Sequence, residues 1–314
     1  MYYSMALCVF DLDNTLGDFR IIDFFGMVYE PKCLMGYPHL SVDTIKKIKK
    51  EIDKYDETTK TQLQSLRDDF ELAASVFNIY MIRPKLKEIL SPLVKEYKKG
   101  NINGFIIYSN NANLYALEYA GRAIQRMFNE PNLFIKYLDR NSIERDEFDS
   151  KDGEGYRTKT VATIKKLFPD IEPKILFMDD LVHDDFVKNS VSYVHVPRYT
   201  SNVGDDQLNN IWAEFEKVFN SSDIKNTIFN LYHIKDYLQY KSLEDIKNAY
   251  LKYSKINEDD EFHKSNFQEN ITMIKNNISQ YINTLTKKGG KRKTRRFKNS
   301  RQSARKRKFE IHDN

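Results

Sequence analysis

The chain has 314 residues and a net charge of +5, and 40% of its residues are hydrophobic, which is enough for one sizeable domain and an additional segment. No stretch approaches the roughly 18 consecutive apolar residues of a membrane span, and the N-terminus lacks the charged-then-apolar pattern of a secretory signal. Two cysteines, Cys8 and Cys33, are too few for a disulfide framework or a zinc site. We therefore expect an intracellular protein of the cytoplasm or the nucleus, without a membrane partner.

A short apolar run near the N-terminus, Leu7–Phe10, ends in two carboxylates separated by one residue, Asp11 and Asp13. The run is too short for a helix and is bounded by polar residues, so it predicts a buried strand. Open α/β sheets bind their ligands at the carboxyl ends of parallel strands. Because side chains alternate along a strand, both aspartates would point into that crevice while Leu12 packs behind them.

A helical insert is predicted over about residues 40–78. Two sets of apolar residues recur there at spacings of three and four, which is typical of amphipathic helices. The first set is Ile45, Ile48, Ile52 and Tyr55, and the second is Leu63, Leu66, Phe70, Ala73 and Phe77. Such a hairpin either covers the end of the sheet as a cap or extends the edge of the fold, and the sequence leaves both alternatives open.

A second apolar run, Phe105–Tyr108, stops at Ser109 and Asn110, just before a helix predicted from Leu114 to Met127. A hydroxyl and backbone amides at the end of a strand suit phosphoryl oxygens. The alternative interpretation is an ordinary helix cap.

Two more strands are predicted, at Leu133–Leu138 and Ile175–Met178, with a helix between them that opens near Tyr156. Strands that alternate with helices predict an α/β fold, a doubly wound, Rossmann-like parallel sheet with right-handed crossovers. The ends of the strands, with their polar residues, would then share one edge of the sheet.

Four sequence motifs occur along this predicted sheet. The pattern Asp11-x-Asp13-x-Thr15 resembles the first motif of the haloacid dehalogenase superfamily. Three further matches follow in the family's order over residues 7–198: Ser109 to the second motif, Lys159 to the third, and Asp179-Asp180-x-x-x-Asp184 to the fourth. Agreement at several positions, each on a suitable element, is much more specific than one short motif.

The resemblance implies a phosphatase that works through an aspartyl-phosphate. Asp11 would attack phosphorus, and Asp13 would protonate the leaving oxygen and then deprotonate the hydrolytic water. Lys159 would balance the negative charge, although Lys165 or Lys166 would take its place in another alignment. The resemblance assigns substrate binding to Thr15, Ser109 and Asn110.

The resemblance also implies Mg²⁺, an ion that prefers oxygen ligands. Its ligands would be Asp11, the backbone carbonyl of Asp13, and Asp180. Asp179 and Asp184 would stand around them or serve as alternative ligands. Clustered carboxylates repel one another unless a cation lies among them, so we expect a site that is electrostatically strained without its metal.

Within the superfamily, the sequence is most similar to the phosphatases of the RNA polymerase II C-terminal domain and the related NLI-interacting-factor-like branch. The similarity lies in Asp11–Leu16, Arg83-Pro84 at the start of a helix, Leu133-Phe134 and Phe186. Asn14, Ser109–Asn111 and Asp179–Val182 depart from that branch. A phosphoprotein carrying phosphoserine or phosphothreonine is therefore the first expected substrate, and a small metabolite or nucleotide phosphomonoester is the alternative.

The C-terminal third carries charge rather than motifs. We expect the phosphatase domain over residues 1–220, a helical appendage over 221–286 and a disordered basic tail over 287–314. Thirteen Lys and Arg residues and no acid lie between Lys287 and Lys308, which leaves 37 basic against 45 acidic residues elsewhere, a net charge of −8. Non-specific nucleic-acid contact through residues 287–308 is one expected role, and nuclear localisation or docking on an acidic surface are the alternatives. The tail resembles those of proteins from large nucleocytoplasmic DNA viruses.

Overall fold

The computed structural model describes residues 5–22, 71–150, 157–169, 172–189, 191–201, 205–221 and 267–286, together with a few short pieces at 43, 50, 54, 56–58, 61, 68, 244–245 and 247–248. Most of the predicted insert and the whole predicted tail lie outside the described residues.

A five-stranded, all-parallel sheet forms the centre of the fold. Its strands, in chain order, are β1 (Ala6–Phe10), β2 (Gly104–Tyr108), β3 (Phe134–Leu138), β4 (Lys174–Asp179) and β5 (Ser192–His195). Their spatial order is β3-β2-β1-β4-β5, so the central β1 lies between β2 and β4. Every residue of β1 is buried, which is why this strand is a continuous apolar run rather than an alternating one.

Seven α-helices and two 3₁₀ helices have both of their ends within the described residues. The α-helices are α1 (Asn78–Met81), α2 (Leu86–Lys98), α3 (Leu114–Phe128), α4 (Val161–Lys166), α5 (Asp184–Lys188), α6 (Asp205–Ser221) and α7 (Phe267–Thr286). The 3₁₀ helices are Ser75–Phe77 and Ile143–Arg145. The side chain of Asn113 caps α3 by accepting from the Tyr115 amide at 3.1 Å, and Asn129 in the left-handed conformation ends that helix.

Helices cover both faces of the sheet, as in a doubly wound fold. Cys8 and Phe10 of β1 face the larger core cluster, which also contains buried residues of α2, α3, α6 and α7. Leu7 and Val9 face the smaller cluster, with residues of α4 and Phe186 of α5. Alternate residues of one strand therefore anchor two helical layers, and the predicted α/β class with a parallel sheet is confirmed.

The four predicted strands are all present, with bounds shifted by one residue or not at all. The prediction missed β5, although Ser192–Val196 alternates small or polar with apolar residues before Pro197. It also missed the short helix α5, which begins at Asp184. The helix expected to begin around Pro84 begins at Leu86, after Lys85 in the left-handed conformation.

The C-terminal helix α7 packs on the central sheet. Ile271, Ile274, Ile278 and Tyr281 of α7 are buried in the same core cluster as β1. The Tyr281 hydroxyl lies 3.2 Å from the carbonyl oxygens of both Leu7 and Lys174, which belong to β1 and β4. This helix is thus part of the layer that covers one face of the sheet. None of the helices described is long and apolar enough to cross a membrane.

Candidate active site

The candidate site lies between β1 and β4, where the order in which the chain adds strands to the sheet changes sides. From β1 the chain proceeds to β2 and β3 on one side, and later returns to β4 and β5 on the other. The carboxyl ends of β1 and β4 are neighbours, and the Asp11 amide donates to the Met178 carbonyl at 2.9 Å. Open α/β sheets bind ligands at such a switch point.

Three buried carboxylates and one buried ammonium meet at this edge. Each of Asp11, Asp179 and Asp180 offers a carboxylate oxygen, and these oxygens lie within 4.8 Å of one another. Lys159 reaches them from the segment before α4, with its Nζ 2.7 Å from Asp11 Oδ1 and 2.7 Å from Asp179 Oδ2. The sequence motifs that were separated by up to 169 positions therefore converge on one cluster.

Burial and mutual repulsion shape the ionisation of this cluster. Burial raises the pKa of Asp11 to about 6; the charges of Asp179 and Asp180 add to this effect, and Lys159 opposes it. Burial also raises the pKa of Asp180, with the neighbouring Asp179 adding to the shift. Burial alone would raise the pKa of Asp179 too, but Lys159 and His183 bring it below its usual range.

Asp179 and Asp180 have different surroundings although they are adjacent. Both oxygens of Asp179 are engaged, since Oδ1 accepts from the Leu181 amide at 2.8 Å and Oδ2 faces Lys159 and, at 3.1 Å, Nε2 of His183. Asp180 is held by Thr15, whose hydroxyl donates to Asp180 Oδ1 at 3.1 Å. Asp179 therefore fixes Lys159, whereas Asp180 is available to a cation.

A tight turn presents Asp13 beside these residues. Leu16 and Gly17 donate their amides back to the Leu12 carbonyl, and Asn14 adopts the left-handed conformation with φ of 59°. A Cβ at Gly17 would lie 2.1 Å from the Met81 carbonyl oxygen, so the turn requires glycine there. The turn is closed by the chain that follows the insert.

Arg83 holds this turn from behind. Its Nε donates to the Thr15 carbonyl at 2.6 Å, and its Nη2 donates to the carbonyls of Asn14 and Pro197, the latter at 2.6 Å. Burial lowers the pKa of Arg83 to about 10. The sequence pattern that marked Arg83-Pro84 as the start of a helix did not reveal these contacts, because the partner carbonyls belong to backbone 68, 69 and 114 residues away.

The loop after β2 faces Asp13 from the other side. The Asn111 side-chain amide donates to Asp13 Oδ2 at 3.0 Å, and the Asn111 backbone amide donates to Ser109 Oγ at 3.1 Å. Ser109 is buried at the end of β2. Asn111 thus hydrogen-bonds to both Asp13 and Ser109.

Three predicted site residues have different surroundings from those expected. The Asp184 side chain is 80% exposed on α5 and pairs with Lys188 at 3.2 Å, so it is not among the clustered carboxylates. Thr15 is fully buried, and its hydroxyl donates to Asp180 Oδ1 and accepts from the Asp180 amide. The Asn110 side chain is engaged by Arg145 and by the Arg157 carbonyl, both at 2.8 Å.

The sequence motifs did not single out His183, which lies at the N-terminus of α5 within ion-pair distance of Asp179. Its place three residues after Asp180 is the signal that could have indicated this contact.

The donor set fits a divalent cation. Lys159 offsets one of three carboxylate charges, so two negative charges remain among buried oxygens that point at one another. Hard cations such as Mg²⁺ bind carboxylate oxygens and keep several water ligands. Asp11 and Asp180 are the side chains that would hold the ion, with Asp13 near them on the adjoining turn.

Comparisons with known proteins give a likeness in architecture only. No protein-family model matches the sequence, and no curated protein matches it. Among solved structures, the chain is similar to a haloacid dehalogenase-like family hydrolase from Streptococcus pneumoniae, with 14% identity, 66% of this chain and 90% of that chain covered, and a TM-score of 0.29.

Two more solved structures resemble the chain. A HAD-superfamily hydrolase of subfamily IA from Geobacter sulfurreducens PCA has 16% identity over 62% of this chain and 90% of its own, with a TM-score of 0.29. A protein described as a haloacid dehalogenase-like hydrolase from Bacteroides fragilis has 20% identity over 66% of this chain and 93% of its own, with a TM-score of 0.28. These values are too low to transfer an activity, so the function is inferred from the site itself.

Proposed function

We propose that this protein is a phosphatase of the haloacid dehalogenase type, which hydrolyses phosphomonoesters with the help of Mg²⁺. The observation that carries the proposal is the contact of one buried ammonium, Lys159 Nζ, with both Asp11 and Asp179 at 2.7 Å, beside Asp180. A nucleophilic carboxylate needs its charge balanced while it remains able to attack, and this arrangement meets both needs.

The proposed reaction has two steps. In the first, an oxygen of Asp11 bonds to phosphorus while the bond to the leaving oxygen breaks, and Asp13 gives its proton to that oxygen. In the second, Asp13 takes a proton from water, the water oxygen attacks phosphorus, and phosphate leaves with Asp11 restored. The cation, when bound, would draw negative charge from the phosphoryl oxygens. Lys159 holds Asp11 in place through both steps.

Phosphoprotein is the substrate class that we rank first. A small substrate is usually enclosed by a cap so that water is excluded during transfer, whereas a peptide needs an open crevice. The described end of the predicted insert contacts two helices: Glu71 pairs with Arg122 of α3, and Phe77 contacts Trp212 and Phe215 of α6. A small metabolite or nucleotide is the second candidate, which a cap formed by residues 41–77 over Asp11 would favour.

An assay with p-nitrophenyl phosphate tests the proposal. We expect hydrolysis with Mg²⁺ and its loss with a chelator, and we expect Asp11→Asn and Asp13→Asn to abolish turnover because each removes a group that reacts directly. Trapping of radiolabelled phosphate on the wild-type chain but not on Asp11→Asn would identify the nucleophile. Full activity of Asp11→Asn would contradict the assignment.

Asp180→Asn and Asp184→Asn form a matched pair that tests the proposed metal site. Asp180 lies in the buried cluster, so its substitution is expected to raise the Mg²⁺ concentration needed for half-maximal activity by about tenfold or more. Asp184 is exposed and paired with Lys188, so its substitution should leave that concentration unchanged. The reverse order of effects would show that the loop after β4 supplies a different ligand.

A further inference from the structure

A second buried charge pair lies beneath the candidate active site. The side chains of Arg145 and Asp149 are both fully buried, and Arg145 Nε donates to Asp149 Oδ2 at 2.6 Å. The Arg145 guanidinium also lies 4.8 Å from the centre of the Tyr108 ring, at the last residue of β2. A buried ion pair of this kind costs desolvation and is by itself weak evidence for stability.

The other donors of Arg145 point to backbone from three separate segments. Nη1 donates to the carbonyls of Ser109 at 2.7 Å and Asp139 at 3.1 Å, after β2 and β3. Nη2 donates to Asn110 Oδ1 at 2.8 Å and to the Thr158 carbonyl at 3.3 Å. One guanidinium therefore ties together the ends of two strands and the segment that leads into Lys159.

Two of these carbonyls precede residues of the proposed site. All peptide bonds described are trans, so a carbonyl that points at Arg145 turns the following amide N–H away from it. The Ser109 carbonyl fixes the direction of the Asn110 amide, and the Thr158 carbonyl fixes the direction of the Lys159 amide. Arg145 thus orients the peptide groups on both sides of the crevice.

Asp149 also makes hydrogen bonds to the end of β2 and to the segment around Lys159. Its Oδ2 accepts from the Tyr108 hydroxyl at 2.5 Å, and its Oδ1 accepts from the hydroxyls of Thr160 at 2.9 Å and Thr163 at 2.7 Å. Thr160 directly follows Lys159 and caps α4. The pair therefore contacts the chain on both sides of Lys159.

We infer that Arg145 and Asp149 are positioning residues, which hold the phosphoryl-binding loop at Ser109–Asn110 and the Lys159 segment in register with Asp11. The inference rests on the proposed phosphatase function and adds residues to that site. Neither residue touches the reacting atoms, so their effect should fall on phosphate affinity and on turnover per folded molecule.

The test replaces both charges, so that no buried charge is left unpaired. The variant Arg145→Met/Asp149→Leu is compared with Arg122→Met/Glu71→Leu, which removes another ion pair, of 2.5 Å, from the outer side of α3. We expect the first variant to remain folded, with kcat/KM for p-nitrophenyl phosphate about 100-fold lower, because small displacements of positioned groups are costly. Its affinity for inorganic phosphate, measured by calorimetry with Mg²⁺, should fall about tenfold. The control variant Arg122→Met/Glu71→Leu should match the wild type in kcat/KM and in phosphate affinity.

The outcomes separate this inference from the function on which it rests. A folded Arg145→Met/Asp149→Leu variant with wild-type kcat/KM and phosphate affinity would overturn the inference alone. A wild-type protein that neither hydrolyses the ester nor binds phosphate would overturn the proposed function and the inference with it. Should the double variant fail to fold, Arg145→Lys keeps the charge beside Asp149 but cannot reach all four other acceptors. Unchanged phosphate affinity in that variant would also overturn the inference.

Discussion

Asp11 is a buried acid whose ionised form the fold disfavours when no metal is bound. Its pKa is raised by burial from 3.8 to about 6, so the folded protein holds a proton more tightly than the unfolded chain does. Stability should therefore fall as the pH rises through the interval from about 4 to 6, and the full penalty should be present above that interval.

Asp11→Asn is accordingly expected to stabilise the metal-free protein at pH 7.5. Removal of the charge should raise the free energy of unfolding by about 1–3 kcal/mol. The gain lies at the lower end of this range if the loss of the ion pair with Asp11 destabilises the buried charge of Lys159. The gain should disappear below about pH 4, where Asp11 is protonated in both states. Urea unfolding with a chelator at the two pH values measures this. Asp184→Asn, on an exposed side chain, is the control, and a destabilised Asp11→Asn at pH 7.5 would contradict the expectation.

Three of the residues that the sequence identified share one property, which is their position at the end of a strand. Asp11, Asp179 and Ser109 each follow an apolar run, and strand ends meet at one edge regardless of their separation in the chain. Arg83 and Arg145 could not be found in this way. Both donate hydrogen bonds to backbone carbonyls. Because every residue has a backbone carbonyl, no sequence pattern identifies these partners.

At the scale of elements, the length of an uninterrupted apolar run determined which strands could be predicted. Central strands buried on both faces are uninterrupted apolar runs, and all of these were found. The edge strand β5 is short, half-buried and partly polar, so it lacks that signal. Helix α7 has an apolar stripe, but a stripe indicates only that a helix has a partner and does not identify that partner.

The packing of α7 predicts a contrast between two of its residues. Ile278 is fully buried against the larger core, so Ile278→Ala should lower the free energy of unfolding by about 2–4 kcal/mol. Met273 on the same helix is 42% exposed, and Met273→Ala should change it by no more than about 0.5 kcal/mol. Equal effects in urea titrations would mean that α7 does not pack on the sheet as described.

At the scale of the whole molecule, charge is divided between an acidic body and the basic segment 287–308. Thirteen cations within 22 residues should bind nucleic acid without regard to sequence, and binding should weaken steeply as salt rises, through counterion release. A chain that ends at Thr286 should keep phosphatase activity and lose retention on DNA or RNA at low salt. If the shortened chain is retained on DNA or RNA as strongly as the full chain, the basic surface lies elsewhere. If the full chain does not bind nucleic acid, nuclear localisation or docking on an acidic surface is the favoured role of the tail.

The hydrogen bonds from Tyr281 to Leu7 and Lys174 also bear on how the protein is made. The first strand leaves the ribosome early, but the helix that covers its face is among the last parts of the folded domain to be synthesised. Until about residue 286 has emerged, the part of the larger core that α7 covers is exposed, and exposed apolar surface of this kind is what chaperones bind. Folding is therefore expected to be completed late in translation, and a ribosome stalled before α7 should hold a chain that remains sensitive to protease.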